Sequence, residues 1–484
     1  MKTDALDRLD SFPYRHLVRD VMAAPLVTAG RDATAVEAAR LMCDGGVSSL
    51  VVLAADGRPD GIVTERDLLR AVAVERDSAL EGVTVTRLMS SPVVTVDAGA
   101  FVYVALGRIA RCGIRHLVAV DGRGRAVGMV TARGLLKLRA GDALMLGDAI
   151  DDAGTPEALA AVMPHLPGLA ERLLDEGVDA PGVAAVISAV YCDLTRRAWE
   201  LAAADMERDG KGPPPAPYAL LVLGSGGRGE SLLRPDQDNA IVHEGTAEDD
   251  AWFAAAAGRM TAILDGAGLP YCKGGVMASN PAWRRSREEW RDEIARWVRS
   301  AAPDALLSAA IFFDAARVAG SEDLAASLRA TAAEMVRGSV TFLKAAGLKL
   351  DSYAPPIGFF GGIRTEDGRV DLKLHGLLPI TTGIRAMALQ HGIGATGTTA
   401  RLDALIAAGA VGTEDGRHLR DGLSCLMRAV LDQQTADIRA GKAPSTHVDP
   451  TRLGGRELAD LKAAFRAADS LRLIVRDSLT RAAG

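Results

Sequence analysis

The chain is poor in the features that mark secreted, membrane-spanning or nucleic-acid-binding proteins. Its 484 residues hold five cysteines, Cys43, Cys112, Cys192, Cys272 and Cys425, with no CxxC pair and no Cys/His metal spacing. A disulfide framework and a structural zinc site are therefore not expected. No apolar run reaches the roughly 18–20 residues that a membrane helix needs, and the opening MKTDALDRLD has no apolar signal core. Positive charge is in deficit, with 56 Lys and Arg against 62 Asp and Glu, a net charge of −6. Aromatics make up 4%, and no basic segment is interleaved with them. Nucleic acid is thus not an expected partner, because phosphate backbones are held by basic surfaces and bases by stacking. The expectation is a cytoplasmic protein without a membrane partner.

What is present is ordinary globular material, 48% hydrophobic and 24% charged. A chain this long implies roughly two to four domains. An internal repeat comes first. VMAAPLVT (21–28) matches LMSSPVVT (88–95), GGVSSLVVL (45–53) matches CGIRHLVAV (112–120), and GIVTERD (61–67) matches GMVTARG (128–134). All three pairs are offset by the same 67 residues, the signature of a duplicated unit. In the first copy the pattern predicts a helix over 36–43, a β-branched strand over 50–53, a turn at Asp56-Gly57, a strand over 61–64 and a helix from Glu65.

These units resemble a tandem pair of CBS domains (a Bateman module) over residues 14–140, divided as 14–78 and 82–140. The resemblance implies an adenine nucleotide, AMP, ADP or ATP, in a cleft between units. Thr28, Gly61, Thr64 and Asp67 would form the first site. The hydroxyl and following helix suit a phosphate, and the carboxylate suits ribose hydroxyls. In the second, Gly128 and Thr131 are kept, but Gly134 stands where the acid is expected. Thr64 and Asp67 equally suit a helix cap. CBS pairs commonly associate face to face, which makes a homodimer the default expectation.

Residues 141–211 read as a helical linker region, closed by GKGPPPAP (210–217), which cannot continue a helix. Then comes the segment that carries chemistry. Tyr218–Leu223 is a short apolar strand pattern, followed by GSGGRGESLLRPDQDNAIVHEG. Gly224, Gly226, Gly227 and Gly229 make a turn whose backbone can approach a phosphate closely, and Ser225 adds a hydroxyl. Asp236 and Asp238 are two apart, so on an extended backbone they share a face. Paired carboxylates call for a cation, and hard oxygen donors favour Mg2+ or Mn2+.

This strand, Gly-Ser turn and Asp-x-Asp constellation resembles the DNA polymerase beta-type nucleotidyltransferase superfamily. GSGGRGE with RPDQDNAIV is closer still to bacterial nucleotidyltransferases that follow CBS domains and are related to the PII-protein uridylyltransferase. CKGGVMASNPAW (272–283), IFFDAARVAG (311–320) and DLKLHGLLPITTGIRAMAL (371–389) carry the resemblance further. It implies that Gly224, Ser225 and Arg228 contact nucleotide phosphates and that Asp236, Asp238 and Asp314 ligate metal. Asp314 is expected from a later strand, as third ligand and helper in deprotonating the acceptor. Arg228 is as readily a surface partner of Glu230 or Asp236. Trp283, Trp290 and Trp297 recur every seven residues, as a helical core stripe would.

The expected architecture is multidomain α/β. It comprises the CBS module, the helical linker, an α/β nucleotidyltransferase domain over 212–340 and a helical substrate-binding-like domain over 341–484. The expected activity is transfer of a nucleoside monophosphate from an NTP to a hydroxyl acceptor, on a protein or a small molecule, with release of pyrophosphate. The rival reading is a non-catalytic sensor built on a degenerate transferase fold.

Overall fold

In the computed structural model the described residues are 16–74, 82–131, 141–353, 355–358 and 361–481. The chain divides into two compact units, Met1–Met145 and Leu146–Gly484.

The first unit is the duplication made three-dimensional. Strands Thr28–Gly30, Ser49–Leu53 and Pro59–Thr64 form one sheet, and Thr95–Asp97, His116–Val120 and Ala126–Thr131 form the other. In each sheet the first pair is parallel and the second antiparallel. A helix joins the parallel strands, Ala35–Asp44 in one copy and Val102–Cys112 in the other. Thr34 caps the first of these, its Oγ1 accepting from the Glu37 amide while the Glu37 carboxylate accepts from the Thr34 amide. Helix Glu65–Val74 follows the last strand of the first copy. Gly134 lies outside the described residues.

The sequence repeat is not the packing repeat. Val18, in the leading segment of the first copy, is fully buried in the second copy's core with Val96, Val102 and Leu117. Val85, the equivalent residue in the leading segment of the second copy, is buried in the first copy's core with Ala38, Leu50 and Val63. Each leading segment also bridges to the opposite sheet, Ala23 to Met129 and Ser90 to Ile62. Each valine contributes about 1.5–3 kcal/mol by burial, so the exchange makes the two copies mutually dependent.

In the second unit a four-stranded sheet runs Ala316–Gly320, Tyr218–Val222, Asn239–His243, Arg284–Ser286. The first three are antiparallel and the last is parallel to its neighbour. Every residue of Asn239–His243 is buried, as a central strand requires. The three tryptophans pack as a core: Trp283 and Trp297 ring centres lie 5.9 and 6.1 Å from that of Trp290, and Phe312 closes the cluster.

The stretch expected to be a linker is instead core. Helix Ala180–Arg208 buries thirteen residues. Its Ser188 hydroxyl accepts from the Ser231 amide at 2.7 Å, and its Trp199 Nε1 donates to the Tyr218 hydroxyl at 2.8 Å. Its apolar stripe is matched by the sheet and by helix Thr413–Arg439, which it packs against. The remaining helices, Val340–Leu348, Leu378–Gln390, Thr398–Ala407 and Gly455–Arg481, complete the helical C-terminal region. Close packing uses small residues, as where Gly422 meets the Ala464 backbone. Among the described residues no helix is long and apolar enough to cross a membrane.

Candidate active site

The site grows out of the end of strand Tyr218–Val222. The Leu223 amide donates to the Asp238 carbonyl at 2.9 Å, which ties the strand end to the acid pair. The chain then enters one helical turn, Gly224–Arg228, opened by Gly224 at φ 57° and ended by Gly229 at φ 73°. The glycines thus make a compact helical turn rather than an open loop. Gly224 is required for a second reason, since a β-carbon there would lie 2.8 Å from Asp238 Oδ2. The phosphate-type turn and the carboxylate are in direct contact. Ser225 Oγ lies 3.4 Å from Ser231 Oγ.

Asp236 and Asp238 lie on the extended segment leading into strand Asn239–His243. Their shared face is enforced by the residue between them. Gln237 is buried and its Nε2 donates to the Thr261 and Leu269 carbonyls at 2.9 and 2.8 Å. Alternation then turns both acids the other way. Burial, followed by the nearby Asp236 charge, pushes the Asp238 carboxyl up to about 6. Such a pair is the electrostatic condition that a bound cation relieves.

The third donor at this pair is Cys272. Ligand-capable atoms of Asp236, Asp238 and Cys272 all lie within 4.8 Å of one another. Burial holds the Cys272 thiol up at about 11, so it meets Asp238 as a neutral hydrogen-bonding group. Its loop is fixed by Asn280, whose Nδ2 donates to the Gly275 carbonyl at 2.9 Å. The sequence offered no metal spacing for Cys272. Its place beside Gly274-Gly275 in the CKGGVMASNPAW segment was the one signal available.

Asp314, which the resemblance implies as a third metal ligand on a strand, sits instead in the turn between helix Pro303–Phe312 and strand Ala316–Gly320. It is fully buried, and its carboxylate is saturated by guanidinium groups. Oδ1 accepts from Arg385 Nε at 2.9 Å and Arg401 Nη1 at 2.7 Å. Oδ2 accepts from Arg228 Nη1 and Arg385 Nη2, both at 2.6 Å. Burial alone would raise its pKa, but Arg385, Arg228 and Arg401 outweigh it and hold the carboxyl at about 2. With its oxygens occupied by charge-assisted bonds, it has no lone pair presented to a cation. Arg228 is half-buried, its side chain 12% exposed, with Nε donating to Glu230 Oε2 at 2.6 Å.

A cavity of about 340 Å³ joins these parts. Gly224, Ser225, Arg228, Asp236 and Asp238 line one side, and Lys349, Lys373, Thr381 and Arg385 from the C-terminal helical region line the other. Lys373 lies near enough to act electrostatically on Asp238. Acids, a hydroxyl and cations therefore converge on one space, the layout of a site for a polyanion handled with a cation.

Comparison with known proteins names the segments that carry these residues. Residues 164–304 match the family "Putative nucleotidyltransferase DUF294", and residues 341–479 match "Putative nucleotidyltransferase substrate binding domain". Residues 18–74 and 85–141 match the CBS domain. The chain joins a CBS-domain pair to a DUF294 domain. Similar proteins include an uncharacterized protein of Methanopyrus kandleri, 35% identical over 121 residues, 25% of this chain and 61% of that protein. The homoserine O-acetyltransferase of Methanosphaerula palustris is 35% identical over 122 residues, 25% of this chain and 24% of that enzyme. This chain thus spans less than two thirds of either relative. Among solved structures, a CBS domain protein from Pyrobaculum aerophilum complexed with AMP is 31% identical. The match covers 26% of this chain and 99% of that one, with a TM-score of 0.23.

Within the CBS pair, the first-copy residues have visible structural roles. Asp67 Oδ2 accepts from the Thr64 amide at 2.9 Å and the Thr64 hydroxyl at 2.7 Å, closing the start of helix Glu65–Val74. Gly61 makes room for a methionine of the other leading segment: a β-carbon there would lie 2.1 Å from Met89 Sδ. Gly128 stands in the same relation to Met22, at 2.3 Å from its Sδ. Thr28 opens its strand opposite Val51, and Thr131 ends its strand opposite His116.

Proposed function

We propose that the second unit is a Mg2+- or Mn2+-dependent nucleotidyltransferase and that the CBS pair is its adenine-nucleotide sensor. The observation that carries the transferase reading is the shared cavity, in which the Gly224-Ser225 turn touches Asp238 and faces Lys349 and Lys373. The two carboxylates, Asp236 and Asp238 on one face, fit a hard divalent cation, whereas the neighbouring Cys272 thiol is neutral and soft and is not a donor that such an ion prefers. Such a cation supplies charge compensation to the phosphates as negative charge moves onto the leaving group.

Ser225 and the Gly224 backbone position the NTP phosphates, and the cavity's lysines balance their charge. The acceptor hydroxyl oxygen bonds to the α-phosphorus, the bond to the bridging oxygen between the α- and β-phosphorus breaks, and pyrophosphate leaves as the hydroxyl proton is lost to the medium. A protein acceptor, by resemblance to PII uridylylation, is the favoured class, with a small-molecule hydroxyl as the alternative. On the sensor side, Thr28, Gly61, Thr64, Asp67 and Thr131 mark the AMP, ADP or ATP clefts, and the pair is the proposed dimer contact.

One observation favours a second reading. Arginine saturation of Asp314 leaves the acid pair without a third carboxylate, which is compatible with a fold that binds nucleotide without transferring it. The two readings separate on incubation with each labelled NTP, Mg2+ and cell extract, beside Asp236→Ala/Asp238→Ala. Transfer by the wild type and its loss in the double variant are expected. Label transfer that is absent, or equal in both proteins, refutes the enzyme.

A further inference from the structure

Cys272 is the one donor at the acid pair that a hard cation does not call for. Among the described residues, Asp236, Asp238 and Cys272 are the group of His, Cys, Asp and Glu side chains whose ligand-capable atoms converge, all within 4.8 Å of one another. Zinc–sulfur bonds are about 2.3 Å and zinc–oxygen bonds about 2.0–2.2 Å, so two donors on one zinc ion stand at most about 4.5 Å apart. The three atoms thus need only a small movement to share one ion.

The position of the sulfur is built by the backbone. The Gln237 amide, between the two acids, donates to the Pro270 carbonyl at 3.0 Å, and the Asn239 amide, just after them, donates to the Val276 carbonyl at 3.1 Å. Asn239 Oδ1 accepts from the Ala278 amide at 2.8 Å, and the Gly275 amide donates to the Cys272 carbonyl at 2.9 Å. The acid segment is therefore stitched to its neighbour loop on both sides of Cys272, and the thiol donates to Asp238. A cysteine kept for packing behaves as a small apolar core residue. This one is half-buried beside two acids that line the cavity.

The donor chemistry decides which ion such a group takes. Two carboxylates alone suit Mg2+, which binds oxygen and keeps several waters. A thiolate added to them selects a softer ion such as zinc. Lys373 and Arg228 act electrostatically on Asp238, so a third negative donor there is not left unopposed.

We propose that Asp236, Asp238 and Cys272 form an O,O,S site for a thiophilic divalent cation, Zn2+, which excludes Mg2+ from the same two carboxylates. On binding, a metal–sulfur bond replaces the S–H bond and the thiol proton passes to solvent. The inference rests on the acid pair of the transferase reading as a cation site, and it adds Cys272 as the residue that sets which cation the pair prefers.

The test uses the full-length chain and Co2+, a spectroscopic stand-in for Zn2+. A Co2+–thiolate bond gives a near-ultraviolet charge-transfer band that oxygen donors alone do not give. The wild type should show that band, saturating at a single equivalent, and Zn2+ should abolish it by displacement. Cys272→Ser and, separately, Asp236→Asn/Asp238→Asn should lose the band. Cys43→Ser/Cys112→Ser, which removes the two exposed thiols, should keep it. In calorimetry Cys272→Ser should weaken Zn2+ by at least the roughly 10–100-fold that losing a group behind a ligand costs, and change Mg2+ affinity by about twofold or less. Circular dichroism checks folding, and Cys272→Ala serves if the Ser variant does not fold. Absence of the band in the wild type, its persistence in Cys272→Ser or in the acid double variant, its loss with the exposed cysteines, or equal Zn2+ affinity with and without Cys272 overturns the site. The two readings fail separately. Label transfer in Mg2+ without a thiolate band removes only the zinc site, and a thiolate band without transfer removes only the enzyme.

Discussion

Gly227 and Asp314 are in backbone contact: a β-carbon on Gly227 would lie 1.9 Å from the Asp314 carbonyl oxygen. It would also lie 2.6 Å from the Val222 carbonyl oxygen. Neither neighbour is a side chain that can swing aside. Gly227→Ala is therefore expected to cost about 3 kcal/mol or more, the upper range of overpacking, and to shift the Gly-Ser turn away from the acid pair. A thermal melt checks the first effect; an unchanged melting temperature would show that the contact is not tight in solution.

Asp314 governs acid stability with a definite sign. Its folded pKa, about 2, is depressed below the ordinary 3.8. Its contribution is fully present above 3.8 and is lost as pH falls through about 2. Asp314→Asn should destabilise the chain at neutral pH by about 3–5 kcal/mol, because three buried guanidinium groups lose their counterion. The variant's stability should also fall less steeply than the wild type's between those two pH values. Denaturant titrations across that range measure both effects, and parallel acid slopes would count against the arginine cage.

The acid pair should show its cation in stability before any activity is known. Mg2+ or Mn2+ at about a hundred times its dissociation constant should stabilise the wild type by about 2.7 kcal/mol. Asp236→Asn/Asp238→Asn should lose that response and, without metal, be at least as stable as the wild type, since two facing carboxylates are relieved. A metal-induced rise in melting temperature that survives the double substitution would place the cation elsewhere.

In the CBS pair, Gly61 and Met89 should couple. Gly61→Ala is expected to cost about 1–3 kcal/mol through its clash with Met89, and Met89→Ala should recover part of that in the double variant. Additive costs would contradict the contact. Asp67→Ala should cost about 1 kcal/mol as a lost cap. Its affinity for AMP, compared with the wild type's, shows whether Asp67 also meets a nucleotide; equal affinity removes it from the site.

Local pattern was enough where one backbone segment decides the geometry. The offset of 67 residues carried over to every strand of the two CBS copies, and the helix after Thr64 begins at Glu65 as its spacing predicts. Asp236 and Asp238 share a face because alternation is local and Gln237 anchors it. The tryptophan spacing reads correctly as core, but only Trp290 and Trp297 share a helix; Trp283 lies in the short turn ahead of it. Other features needed partners remote in sequence. Cys272 reaches the acid pair through the placement of a loop, and no spacing announced it.

The duplication, the strand and Gly-Ser turn with its acid pair, and the helical character of the C-terminal region are legible in the sequence, since each is written in short-range periodicity and backbone preference. Folding alone brings about the exchange of Val18 and Val85 between cores, the burial of helix Ala180–Arg208 and the meeting of Asp314 with its arginines. Those outcomes depend on which buried surfaces and charges meet. Arg385 and Arg401 lie 71 and 87 residues from Asp314, and only the folded chain brings their charges onto one carboxylate.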